Sequence, residues 1–135
     1  MTKLTKNFSR EEFACKDGCG YADISLELVK MLQAIRDFCG FPLIVNSGCR
    51  CGKHNKKIGG KVNSAHLKGL AVDIKAGKSQ TRYFILKGAI NIGFQRIGIY
   101  PTFIHLDIDF GKPQGVIWTK NKEFDCPSGL LGFDR

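Results

Sequence analysis

Phe103-Ile104-His105-Leu106-Asp107-Ile108-Asp109 alternates apolar and polar residues over most of its length. Successive side chains of a strand point to opposite faces, so Ile104, Leu106 and Ile108 are expected on one face and His105, Asp107 and Asp109, with Phe103, on the other. The apolar set calls for helices to cover it, and the polar set is left open for chemistry. Arg96 to Tyr100 precedes this run across Pro101-Thr102, which predicts a hairpin and therefore antiparallel pairing. Upstream, Leu70 to Lys75 repeats the alternation with Leu70, Val72 and Ile74 inward and Ala71 and Asp73 outward. If the two strands lie close, Asp73 meets His105.

Helices are expected around this sheet. From Ser25 to Cys39, Leu28, Leu32, Ile35 and Phe38 recur at helical spacing among charged residues, and Gly40 with Pro42 ends the pattern. Ser79 to Ile90 reads as a second helix stopped at Gly93, and Ser9-Arg10-Glu11-Glu12 is a capping box that starts a short helix through Phe13 and Ala14. Leu43 to Ser47 reads as a strand closed by Gly48, Gly59 to Asn63 as a loop, and Val116-Ile117-Trp118 as a last short strand. Strands and helices do not alternate regularly enough for a parallel array, so the expected class is α+β, an antiparallel sheet with helices on one side.

At 135 residues, 43% hydrophobic and 24% charged, the chain fits one domain spanning residues 1–135, with no room for a second. No run is long and apolar enough for a membrane span, and Met1 to Asn7 lacks the apolar stretch of a secretory signal. The formal net charge of +9 favours a polyanionic neighbour, either nucleic acid, an anionic membrane surface or an acidic cell-wall polymer. The basic residues are scattered and form neither an aromatic-basic RNA motif nor a helix-turn-helix pattern, which sets nucleic acid aside. Without an export signal, Cys15, Cys19, Cys39, Cys49, Cys51 and Cys126 are expected as reduced thiols rather than a disulfide framework. Cys39 reads as a small core residue at a helix end. Cys15, Cys19, Cys49 and Cys51 together offer ligands for a second, structural metal, although neither pair has the C-x2-C spacing that makes such a site clear.

His66 precedes the Leu70 to Lys75 strand across Gly69, where the chain can turn. His66, Asp73 and His105 are therefore a candidate catalytic zinc set, since catalytic zinc takes three His or carboxylate ligands and keeps a fourth position for water. Such an ion lowers the pKa of the water it holds and polarises a carbonyl, which points to hydrolysis of an amide or ester. Asp107, sharing a face with His105, is the candidate general base or else an orienting partner of a ligand. Arg50, just beyond a strand end, is the candidate to hold a substrate carboxylate or a developing oxyanion.

The residues Ser47-Gly48-Cys49-Arg50-Cys51, His54-Asn55, Gly59-Gly60, Ser64-Ala65-His66 through Asp73 and Phe103 through Asp107 resemble the zinc D-Ala-D-Ala carboxypeptidases and L-Ala-D-Glu endopeptidases of bacteria and phages. Phe8 to Phe13 and Cys15 to Gly20 look like the opening of small members of that family. The resemblance implies the Hedgehog/DD-peptidase fold, a central antiparallel sheet carrying one Zn2+ on His66, Asp73 and His105. It implies Arg50 beside the scissile bond, with Ser64 and Tyr100 completing a substrate site for peptidoglycan stem peptides. Where members carry a Glu or a second His before the last ligand, this chain has Thr102 and Phe103, leaving Asp107, Tyr100 and His54 as candidate bases. The expectation is a monomeric peptidase of wall peptides, made in the cytoplasm without a signal, released at lysis as a phage or prophage endolysin and able to meet anionic wall polymers. The alternative is a non-catalytic zinc-stabilised wall-binding module of the same fold.

Overall fold

The computed structural model describes residues 2–119. The elements in chain order are a 3-10 turn at Arg10–Phe13, helix α1 (Leu26–Cys39), strand β1 (Val45–Ser47), helix α2 (Gly52–Lys57), a second 3-10 turn at Ala65–Lys68, strand β2 (Ala71–Lys75), helix α3 (Ser79–Ile92), and strands β3 (Arg96–Ile99), β4 (Phe103–Asp107) and β5 (Val116–Thr119). One sheet holds all five strands in the order β1-β2-β4-β3-β5. Four strands are antiparallel as expected, but β5 joins β3 in parallel, so the sheet is mixed rather than purely antiparallel. The chain after β4 passes round the end of the hairpin before β5 pairs at the edge, which a local reading of three residues cannot reveal.

The alternation read from β2 and β4 sets the layers. Val72, Ile74, Ile97, Ile104 and Leu106 turn to one side and pack with Leu28, Val29, Leu32 and Ile35 of α1 and Ile85 and Ala89 of α3 in a single buried cluster. Helix α1 starts on Ser25, whose Oγ accepts the Leu28 N–H at 3.3 Å, and stops at Gly40 in the left-handed region. Gly88 of α3 faces Ile35 and Phe38, and a methyl there would touch Phe38 at 3.0 Å, so the missing side chain allows the two helices their close approach. Cys39 is half-buried against this cluster, as its position at a helix end suggests.

Two local departures matter for the site. Strand β1 is shorter than the apolar run implied, and its register slips between Val45 and Ser47, which face Ile74 and Asp73. Such a bulge re-aims the chain, and here it delivers Ser47 to the Arg50 side chain. Helix α2 carries no apolar periodicity and buries only Asn55, so hydrophobic patterning gives no sign of it.

Candidate metal centre

The register of β2 with β4 places Asp73 directly opposite His105. His66 arrives from the 3-10 turn, which Ser64 caps by accepting the His66 N–H on Oγ at 3.2 Å and which Gly69 ends at φ 69°. A side chain at Gly69 would run into the Asp23 carbonyl, so both backbone shape and space demand glycine where the chain swings into β2. His66 and Asp73 are buried, and His105 is largely covered.

The hydrogen bonds fix which ring atoms meet. His66 Nδ1 lies 2.7 Å from the Gly48 carbonyl, which can only accept, so that nitrogen carries the proton and Nε2 presents a lone pair. His105 Nε2 lies 2.7 Å from Asp107 Oδ2, again an acceptor, which leaves Nδ1 facing the centre. Asp73 Oδ1 sits 3.2 Å from His66 Nε2 and 2.9 Å from His105 Nδ1. Three acceptor atoms thus converge, and only a cation between them, either protons or one metal ion, reconciles them. The three ligand atoms lie within 4.8 Å of one another. Ligand atoms around a tetrahedral zinc with bonds of about 2.0–2.1 Å stand roughly 3.3 Å apart, close to the spacings at Asp73. The donor set fits zinc.

Electrostatics agree with a cation site. Burial pushes the Asp73 carboxyl up, but the two imidazoles facing it outweigh burial and hold it well below the usual carboxylate range. Burial alone lowers His105, whereas its bonds to Asp107 and Asp73 prevail and raise it. Asp107 is itself buried, and it is held low by His105, the Asp109 N–H and Arg96 against the opposing effect of burial.

The residues expected from sequence come together around one cleft. His66, Asp73, His105, Asp107, Arg50, Ser64 and Tyr100 all line a cavity of about 460 Å³. Arg50 donates from Nη2 to Asp73 Oδ2 at 3.1 Å, from Nε to Ser47 Oγ at 3.2 Å and from Nη1 to Asn55 Oδ1 at 3.3 Å. Asp107 Oδ1 accepts from Arg96 Nε at 2.8 Å and from the Asp109 N–H at 3.0 Å, so both of its oxygens are engaged. His54 lies on α2 and is not among the residues lining the cleft. Trp118 also lines the cleft: its ring lies 5.5 Å from His105 and its Nε1–H donates to the Tyr100 hydroxyl at 3.1 Å.

Three participants escaped sequence reasoning. Asn55 is buried, donates from Nδ2 to the Lys61 carbonyl at 2.8 Å and steadies Arg50; a polar residue inside a hydrophilic stretch gives no sign of burial. Arg96 stacks its guanidinium 5.0 Å from the Trp118 ring centre while holding Asp107. Gly98 pairs with His105 on one side and Trp118 on the other, and a methyl there would press on Trp118 at 2.7 Å and Tyr100 at 2.8 Å. Its signal was a lone glycine inside a strand, which marks close approach of other groups.

A family model described as Peptidase M15 matches residues 4–107. The chain belongs to the Peptidase M15 family. No curated protein matches it. The match runs from before the first 3-10 turn through β4 and so takes in His66, Asp73, His105 and Asp107. M15 peptidases are zinc-dependent metallopeptidases, and the five-stranded mixed sheet with α1 and α3 packed on its apolar face fits the Hedgehog/DD-peptidase-like fold. Among the described residues, no helix is long and apolar enough to cross a membrane.

Proposed function

We propose that this M15 peptidase holds one Zn2+ on His66, Asp73 and His105 and hydrolyses peptide bonds in peptidoglycan stem peptides or cross-links. The observation that carries the reading is the convergence of Asp73 Oδ1, His66 Nε2 and His105 Nδ1, each imidazole committed by its other nitrogen, at an open cleft. Zinc held by these three residues would supply an activated water and polarise the scissile carbonyl. Arg50 uses three of its five N–H donors on Ser47, Asn55 and Asp73, which fixes its plane and leaves donors for a substrate carboxylate or a developing oxyanion. Tyr100 receives the Trp118 N–H and stacks on Phe103 with ring centres 4.5 Å apart, so its own O–H is oriented for the substrate, and Ser64 borders the same space.

Of the two roles open to Asp107, the geometry supports orientation of His105 over proton abstraction. Its oxygens already accept from His105, Arg96 and Asp109, the carboxylate–histidine arrangement that sets ring orientation and raises ligand basicity. The basic groups Arg50, Lys61, Arg96 and Lys112 around the cleft suit the carboxylates of stem peptides, and the net charge of +9 suits anionic wall polymers. The assignment as a phage or prophage endolysin, a single domain acting on the wall as a monomer after release at lysis, rests on the family resemblance.

One observation favours the second reading, a zinc-stabilised wall-binding module. Among the described residues, the carboxylates lining the cleft are Asp73 and Asp107, and both are engaged. Synthetic stem peptides distinguish the readings. Zinc-dependent release of terminal D-Ala identifies a carboxypeptidase, and a cut between L-Ala and D-Glu identifies an endopeptidase. Peptide binding without any cleavage identifies the module.

A further inference from the structure

Away from the cleft, the loop after the first 3-10 turn brings Cys15, Asp17 and Cys19 against Cys51, with their ligand atoms all within 4.8 Å of one another. The four-cysteine grouping suggested by sequence changes in one member: Cys49 is buried and packs in the hydrophobic cluster, while Asp17 takes a place beside the three remaining thiols. Each of those three sulfurs faces a backbone amide. The Cys51 N–H donates to Cys15 Sγ at 3.4 Å, the Tyr21 N–H to Cys19 Sγ at 3.5 Å, and the His54 N–H to Cys51 Sγ at 3.4 Å. Amides aimed at sulfur stabilise thiolates, and such outer contacts are what orient ligands around a metal. Gly18 and Gly20, at φ 77° and 91°, let the short loop fold so that Cys15 and Cys19 face the same point.

We propose that Cys15, Cys19, Cys51 and Asp17 form a second, structural metal site for a tetrahedral thiophilic ion such as Zn2+. Three thiolates and a carboxylate close the coordination sphere, which marks a structural rather than a catalytic site. The position gives it a purpose. Cys51 directly follows Arg50, whose own N–H donates to the His66 carbonyl at 3.1 Å, and Cys49 before it donates to the Phe13 carbonyl at 2.8 Å. An ion on Cys51 would therefore tie the amino-terminal loop to the segment that sets Arg50 against Asp73. This site is independent of which bond the cleft cuts, and its test does not rely on cleavage.

The experiment is metal analysis of the full chain purified under reducing conditions, repeated after cobalt replacement. Wild type should hold two zinc ions, one for each cluster. Cys19→Ser should hold one and lose the sulfur-to-cobalt charge-transfer band, whereas His66→Ala should hold one and keep that band. Cys19 is exposed, so its replacement leaves the core intact; Asp17→Asn, also at the surface, should keep the band with weakened metal affinity. One ion in wild type with no sulfur-to-cobalt band, or a Cys19→Ser variant that still holds two ions, would overturn the proposal.

Discussion

Asp107→Asn separates the two roles of that carboxylate. As the partner that orients His105, its loss should weaken zinc affinity about 10–100-fold, and excess zinc should restore turnover. If turnover stays abolished with zinc saturating, Asp107 is the base. Asp109 offers a pH test away from the metal ligands. Burial raises its carboxyl, but Lys68 at 3.1 Å, the Gly111 N–H and Lys112 at 3.3 Å prevail and hold it below its ordinary value. A depressed folded-state pKa stabilises the fold fully above the unfolded value and loses that contribution as pH falls through the folded one. Denaturant titrations should therefore show acid destabilisation that Asp109→Asn flattens; an unchanged acid limb would remove Asp109 from the account. At this scale, strand alternation makes Asp73 and His105 legible as a pair, because it dictates which side chains share a face. It could not show Asn55 or Arg96, whose roles depend on a helix without apolar periodicity and on cross-strand neighbours.

The elements divide in the same way. Helices α1 and α3 were readable because apolar spacing and glycine stops follow directly from burying one face, while α2 and the parallel pairing of β5 arise from tertiary contacts that no local pattern encodes. Ile104 on β4 lies at the centre of the layer between sheet and helices, so Ile104→Ala should cost about 2–5 kcal/mol in denaturant unfolding. Gly98→Ala on β3 meets Trp118 and Tyr100 instead of empty space, and such overpacking should cost about 1–3 kcal/mol. Because those rings form the cleft wall, the same substitution should raise KM for a stem peptide more than it lowers zinc affinity. Unchanged KM would mean that Trp118 and Tyr100 do not bound the substrate.

For the whole molecule, a metal held by His66, Asp73 and His105 would couple to folding, since the cluster draws on the 3-10 turn, β2 and β4 at once. Free zinc at 100 times its dissociation constant should stabilise the fold by about 2.7 kcal/mol per site, seen as a rise in Tm that a chelator reverses. The most direct test of a zinc peptidase acting on the cell wall is digestion of purified peptidoglycan by the zinc-loaded chain, the chelated chain and His66→Ala, with released termini identified by mass spectrometry. New peptide termini should appear with the zinc-loaded wild type alone. Termini that survive chelation or the loss of His66, or intact peptidoglycan beside a zinc-filled cleft, would contradict that activity.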